Sequence, residues 1–432
     1  MRGRPVLASE VFLSTPEMQA LLGEQGLVQA VMDYEAALVR AQSRQGLIPP
    51  SAAQAIASLC RAELYDVAAL VAASGREGSL VSPLVRRLRE NVALFDPRAA
   101  AHVHGGCNDQ DVLDTVLQLQ ISRALGLIEE ELLGLLGRLL DLAEQHPACP
   151  LLARSELQPA GPSSLRQRLH QSCAPLLRCA QALRQQAAQA LLLQLGGQGG
   201  GMAAMGTQGP AVAAGMAAEL RLGRPEGAWH TQRDRGLRLA AELAVLNTEL
   251  AKLARTWLLL AQPELAELSF EVGSGAGPGG APGLSACLQA LTAARRATPR
   301  LASLLASSLE QALEGGPGAW QSELAEWGGL LQGSHAGLRA LNRAAAALRL
   351  QPQRMRENLV QQHALAWVEA QCPAAAPDAE ALPEVFDPEC VAQRADDSVA
   401  AELLRLRAAW TALMDQPCAH YDTSSSALNG RP

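Results

Sequence analysis

Trp229-His230-Thr231-Gln232-Arg233-Asp234-Arg235 concentrates hydrogen-bonding and cationic side chains in one short run. Thr231 and Gln232 can hydrogen-bond an oxygenated small molecule, and Arg233 or Arg235 can pair with a carboxylate. The plainer alternative is that Asp234 and the arginines form ion pairs where a long helix begins. Arg154-Ser155-Glu156-Leu157-Gln158 offers Gln158 as a donor to a substrate oxygen. Glu156 can act as acid or base if desolvated, and is otherwise a solvated charge at a helix end. Two glycine-rich stretches follow, Gly196–Gly209 and Gly273–Gly283. In the second, Gly and Pro alternate, which excludes helix. It reads as a loop between two long helices, either a plain connector or a lid over an active site. Lys252 is the sole lysine among 36 Lys plus Arg. Chemistry that needs a lysine must use it.

Helices have to position these groups. The chain is 48% hydrophobic but only 3% aromatic, and its Ala and Leu fill a core of close-packed helices. Its 432 residues allow two or three domains. Apolar spacing predicts helix over 16–47, 51–64, 66–73 and 82–93, with a boundary near residue 100. Four longer helices are expected over 109–145, 163–195, 233–260 and 284–313, each well above the usual ~11–12 residues. Long helices with short connections, and no repeat of fixed period, indicate an elongated bundle. Beyond residue 345 the helices shorten. Residues 372–388 read as a Pro- and Ala-rich linker, 396–414 as helix, and the tail as disordered.

A net charge of −7 and a pI near 5.7 argue against nucleic-acid binding. Nine cysteines, an odd number with no C-x-x-C pair, speak against a disulfide framework or a zinc site. The first residues carry two Arg but no sustained apolar stretch. Apolar runs such as 187–195 are too short and too Gln-rich to cross a bilayer. A cytoplasmic protein with no membrane or nucleic-acid partner is expected.

Several segments line up with one family. HVHGGCNDQDVLDTVLQLQISRAL (102–125), LQPAGPSSLRQRL (157–169), QLGGQGGGMAAMGTQGPAVAAGMAAEL (194–220), WHTQRDR (229–235) and QPQRMRENL (351–359) resemble the fumarase/aspartase superfamily, in particular its 3-carboxy-cis,cis-muconate cycloisomerase branch. The resemblance implies an all-α, three-domain fold with a long central helix bundle, divided here as 1–100, 101–345 and 346–432. It implies a homotetramer whose active sites each draw motifs from three subunits. The implied chemistry is addition or elimination on a small carboxylated substrate through an aci-carboxylate. In the cycloisomerase branch this closes a lactone during aromatic-compound catabolism. No metal or organic cofactor is implied.

The resemblance also points to residues. Ser274 falls on the family's catalytic serine, which transfers a carbon-bound proton if its alkoxide is stabilised. The family's lysine and asparagine in that loop are Gly280 and Ala281 here. The family's Thr-Ser pair, which hydrogen-bonds a substrate carboxylate, is Asn108-Asp109. Asn108 can donate. Asp109 is acceptor-only and reads as the N-cap of the long helix that follows. His104 matches a substrate-adjacent histidine. Gln158, Thr231, Gln232 and Arg233 complete the expected substrate-binding set. Loss of the lysine, the asparagine and the Thr-Ser pair motivates an alternative, a non-catalytic relative that serves as structural partner of an intact paralogue.

Overall fold

The computed structural model describes residues 8–271, 282–316, 318–361 and 387–421. The Thr15 hydroxyl accepts from the Met18 N–H and starts α1 (Pro16–Leu22), satisfying one of the donors every helix leaves free at its N-terminus. Gly23 then ends α1, and α2 (Glu24–Arg44) follows. The single helix expected over 16–47 is therefore two. A Cβ at position 23 would lie 2.4 Å from the Gln19 carbonyl oxygen, so the break suits only glycine. Gly46, at φ 71°, turns the chain out of α2. Three shorter helices complete this part: α3 (Pro50–Leu59), α4 (Val67–Glu77) and α5 (Val81–Phe95). Asp66 caps α4, and Gly78 ends it in the left-handed conformation.

The centre is built from α6 (Asp109–Gln145), α7 (Leu165–Ala190), α9 (Asp234–Leu260), α10 (Pro282–Leu309) and α11 (Ala319–Ala347), with the shorter α8 (Gly209–Leu220) packed on α2. α6 packs on α7, α7 on α9, α9 on α10, α10 on α11, and α11 returns to α6. α6 is buried around most of its circumference, as the spread of its apolar residues around the helix requires. α11 was not among the long helices expected. Gly328, Gly329, Gly333 and Gly337 interrupt its pattern, each costing up to ~1 kcal/mol against alanine. Gly329, Gly333 and Gly337 face α10, whereas a Cβ at 328 would meet nothing within 4 Å. A Cβ at 337 would already touch Ala293 at 3.5 Å, and one at 329 would fall within 2.0 Å of the Arg300 guanidinium.

Two small sheets depart from a purely helical reading, although the all-α class stands. β1 (Pro150–Ser155) and β2 (Gln158–Ser164) form an antiparallel hairpin. Its two-residue turn is Glu156-Leu157, both at positive φ (51° and 64°), as a type I′ turn demands. Glu156 thus sits in a hairpin turn rather than at a helix end. β3 (Leu268–Phe270) pairs with β4 (Leu348–Leu350).

Two helices close the described chain, α12 (Pro352–Gln361) and α13 (Pro388–Asp415). α13 lies on α7, α6 and the hairpin. Trp410 anchors it by donating from Nε1 to the Leu133 carbonyl at 2.9 Å. The ring lies so close to Gly137 that a Cβ there would be 2.8 Å from Trp410 Cζ2. Most of the 372–388 linker and of the 273–283 loop, and the tail beyond residue 421, lie outside the described residues. Among the described residues every cysteine is free, and no helix is long and apolar enough to cross a membrane.

Two measurements check this packing. Gly137→Val should overpack the α6–α13 contact and lower stability by about 1–3 kcal/mol. In a Trp410→Ala background the added penalty should shrink, read by chemical denaturation as a double-mutant cycle. The second concerns His335 of α11, 1% exposed, whose Nδ1 lies 2.8 Å from the Thr15 hydroxyl. Burial, then the charge of Arg339, pushes its pKa down from 6.5 to about 4. The unfolded chain takes up this proton near pH 6.5 and the folded chain only near 4. The stability due to neutral His335 is therefore present above pH 6.5 and lost as pH falls toward 4, a loss of about 3 kcal/mol. His335→Asn should flatten that part of the pH–stability curve.

Candidate active site

Asn108 and Asp111 form a capping box at the start of α6. The Asn108 side chain accepts from the Asp111 N–H at 2.8 Å, and Asp111 Oδ2 accepts from the Asn108 N–H at 3.1 Å. The cap is thus Asn108, and the expectation for Asp109 is corrected. Asp109 is the first helical residue, where its charge suits the helix dipole, and its Oδ2 accepts from Ser82 Oγ.

The same two residues hold the first glycine-rich stretch. Asp111, with no exposed surface, accepts from the Gly196 N–H at 2.9 Å, the Gly197 N–H at 2.8 Å and His230 Nε2 at 2.7 Å. The Asn108 amide donates to the Gly197 carbonyl at 2.9 Å. An amide nitrogen carries two N–H groups, so a second remains for an incoming oxygen. One turn on, the Thr115 hydroxyl donates to the Gln194 carbonyl at 3.0 Å and accepts from the Gln194 N–H at 2.9 Å. Gln194 Oε1 in turn accepts from the Trp229 N–H, and the Gln110 amide donates to the His230 carbonyl. One polar stripe on a buried helix therefore grips both the 194–197 and the 229–230 segments.

Asp114 continues the stripe and faces Arg233 at 2.9 Å, with Glu323 of α11 on the other side at 3.5 Å. Arg233 is 7% exposed, and its guanidinium lies over the Trp229 ring at 5.3 Å. Neither its Nε nor its Nη2 donates with hydrogen-bond geometry, so these are charge contacts. Burial pushes the carboxyl groups of Asp114 and Glu323 up, against the pull of Arg233. With two acids already facing it, Arg233 is poorly placed to take a substrate carboxylate as well. Gln232 is exposed, and the Thr231 hydroxyl donates to the Leu313 carbonyl. Gln118, Trp229, Gln232, Arg233, Arg235 and Trp327 line a cavity of about 120 Å³. That is small beside the ~300–1,000 Å³ usual for ligand pockets. Ion pairs do form where α9 begins, but Asp234 pairs with Arg238 at 2.8 Å, outside the segment, and Arg235 faces Glu226 at 3.5 Å.

His104 stands at φ 59° and places Nδ1 2.7 Å from Glu35 Oε1 on α2. Burial works to lower its pKa, but the hydrogen bond and charge of Glu35 outweigh it, and the net direction is upward.

The other expected residues lie elsewhere. α6 spans 37 residues, about 55 Å at ~1.5 Å per residue. α7 returns beside it, since Arg166 donates to the Ala143 carbonyl near one end and Thr115 meets Gln194 near the other. Gln158, exposed at the hairpin tip, therefore belongs to the end of the bundle opposite Asn108. α9 also runs between the ends, from Arg233 beside Asp114 to a buried ion pair between Glu267 and Arg154 at 2.6 Å. The flanks of the second glycine-rich loop share the hairpin's end. Ser274 lies outside the described residues. Lys252 is mid-helix, largely exposed and paired with Glu249. Within one chain, the structure joins Asn108, Thr231, Gln232 and Arg233 at one end and leaves Gln158 at the other.

Sequence reasoning met Asp111 and His230 only as members of matching motifs, and assigned no role to Asp114, Thr115, Gln194 or Glu323. The available signal was a run of polar residues at 110, 111, 114, 115 and 118, spaced to share one side of an otherwise apolar helix.

Comparison with known proteins bears on the family of the chain. A family model described as "Lyase" matches residues 11–278. A protein of Pseudomonas aeruginosa named 3-carboxy-cis,cis-muconate cycloisomerase is 42% identical over 264 residues, covering 61% of this chain and 57% of the relative. A Bradyrhizobium diazoefficiens protein of the same name is 38% identical over 271 residues, covering 63% and 60%. The chain thus spans about three fifths of the length of the curated relatives it matches. The crystal structure of the 3-carboxy-cis,cis-muconate lactonizing enzyme from Pseudomonas putida superposes with a TM-score of 0.81 at 32% identity, covering 98% of this chain and 97% of that one. The helical architecture, the family match over more than half of the sequence and the structural likeness over nearly all of it lead to one conclusion: the chain belongs to the lyase family of the fumarase/aspartase superfamily.

Proposed function

We propose that this protein is a 3-carboxy-cis,cis-muconate cycloisomerase-like enzyme. One carboxylate oxygen of the substrate adds to a carbon of the diene, and a proton is delivered to the neighbouring carbon. A C–O and a C–H bond form, one C=C π bond is consumed, and a lactone results. The observation that supports this reading most is the near full-length likeness to the Pseudomonas putida lactonizing enzyme. The unbroken Trp229–Arg235 segment, hung from Asp111 and Gln194, supports it further.

In this reading Ser274 is the proton-transfer residue. Gln158, Thr231, Gln232 and the second amide N–H of Asn108 hold substrate oxygens, while His104 shapes the wall. Arg233, already committed to two carboxylates, orders the pocket, and the half-exposed Arg235 is the better partner for a substrate carboxylate. The active unit is a homotetramer, because two ends of a bundle about 55 Å long meet only when copies pack side by side. We place the enzyme in the cytoplasm, in aromatic-compound catabolism, with domains divided near residues 100 and 345. Gly280 and Ala281, at the family's lysine and asparagine positions, favour the second reading, a partner that lends motifs to an intact paralogue.

Purified chain mixed with 3-carboxy-cis,cis-muconate should bleach the diene absorbance. Ser274→Ala should slow this by ~10²–10⁴-fold, the usual worth of a positioned acid–base group. A flat trace for both proteins would overturn the enzymatic reading. Native mass spectrometry should show four copies per particle; a monomer would remove the shared pocket. Hetero-tetramers with a co-expressed paralogue, alongside a flat trace, would favour the second reading.

A further inference from the structure

The loop that leads into α6, which carries the wall residue His104, gathers three chemically different side chains. Glu35 comes from α2, and His104 and Cys107 from the loop. One ligand-type atom from each lies within 4.8 Å of the others. His104 Nδ1 is 2.7 Å from Glu35 Oε1 and 3.3 Å from Cys107 Sγ. We infer that Glu35, His104 and Cys107 form a binding site for a zinc-type divalent cation that clips α2 to the loop preceding α6.

Two observations carry this inference apart from the clustering. Glu35 has no exposed surface, and its Oε2 has no hydrogen-bond partner. A buried carboxylate oxygen left in that state costs free energy, and a coordinated cation would satisfy it. His104 is held at φ 59°, a left-handed conformation uncommon for a residue with a side chain. That backbone carries its ring onto Glu35.

A thiolate, an imidazole nitrogen and a carboxylate are a ligand set that zinc accepts, with bonds of about 2.3 Å to sulfur and ~2.0–2.2 Å to nitrogen and oxygen. Small outward shifts of the three side chains would open that space. Charge balances: a dication offsets one thiolate and one carboxylate around a neutral imidazole. Binding releases the thiol proton to solvent. An entry route exists, because His104 borders an open cavity of about 450 Å³ shared with Ser82, Arg89 and Asp109. The site escapes the C-x-x-C search because its ligands are 69 residues apart and only one is a cysteine. The inference concerns a structural clip that shares only His104 with the proposed pocket, so cobalt binding and lactonisation are read separately and can fail separately.

The test uses full-length protein stripped with EDTA and titrated with Co²⁺ as a spectroscopic substitute. A sulfur-to-cobalt charge-transfer band should grow and saturate at one ion per chain, then vanish on adding Zn²⁺. Cys107→Ala and Cys107→Ser should abolish it, and Glu35→Gln should weaken Co²⁺ binding at least ~10-fold. Zinc-edge X-ray absorption of the unaltered protein should show one sulfur among nitrogen and oxygen ligands, a readout that needs no variant to fold. No band, a band that survives in folded Cys107→Ala, or a zinc shell without sulfur would overturn the site.

Discussion

The Asp111 carboxylate is buried at the start of α6 and accepts from two consecutive glycine N–H groups, the Asn108 N–H and an imidazole. Hydrogen bonds to a charged acceptor each contribute roughly 1.5–3 kcal/mol, and the positive end of the helix dipole favours the charge. Around this group the 196–197 chain must come close. A Cβ at Gly196 would lie 2.7 Å from the Ala228 Cβ and 3.0 Å from His230 Cε1, and Gly197 sits at φ 68°. The glycines therefore answer to the carboxylate, and the position of His230 answers to both. From His230 the chain passes to Thr231, Gln232 and Arg233, so the geometry of the candidate pocket descends from one buried acid.

The second determinant is length. α6, α7 and α9 run nearly the whole bundle, and each carries a segment of the candidate site at one tip or in the connection beside it. Straight helices of this size cannot fold back on themselves, so the polypeptide separates what the chemistry would combine. In the proposed tetramer, association of copies would resolve this without bending any helix. It would also account for the small cavity that a single chain presents between Trp229 and Trp327.

Periodicity located α6 and α9 to within a residue, because long apolar patterns leave few alternatives. It missed α11, whose glycines look like helix breakers until Ala290 and Ala293 of α10 are seen against them. It merged α1 with α2, since nothing local distinguishes Gly23 from a tolerated glycine. The β1–β2 hairpin was hidden by prolines and by a turn without Asn or Gly. At the site, the family resemblance singled out Asn108, Thr231, Gln232 and Arg233, which the structure does assemble. It could not reveal that Arg233 is flanked by Asp114 and Glu323, since those lie 119 and 90 residues away and no local pattern links them. Asp109 looked like a cap because Asp commonly is one, but the neighbouring amide reaches both the Asp111 N–H and Gly197.

Lys252 projects from the middle of α9, with its side chain 64% exposed. An amine-directed dye or cross-linker therefore has a single side-chain target on each copy. A lysine-specific protease likewise has one bond to cut, the one before Leu253, and that bond is shielded as long as α9 keeps its helical turns. Nicking at this point would report local unwinding of the bundle, a strand-break sensor already written into an arginine-dominated chain.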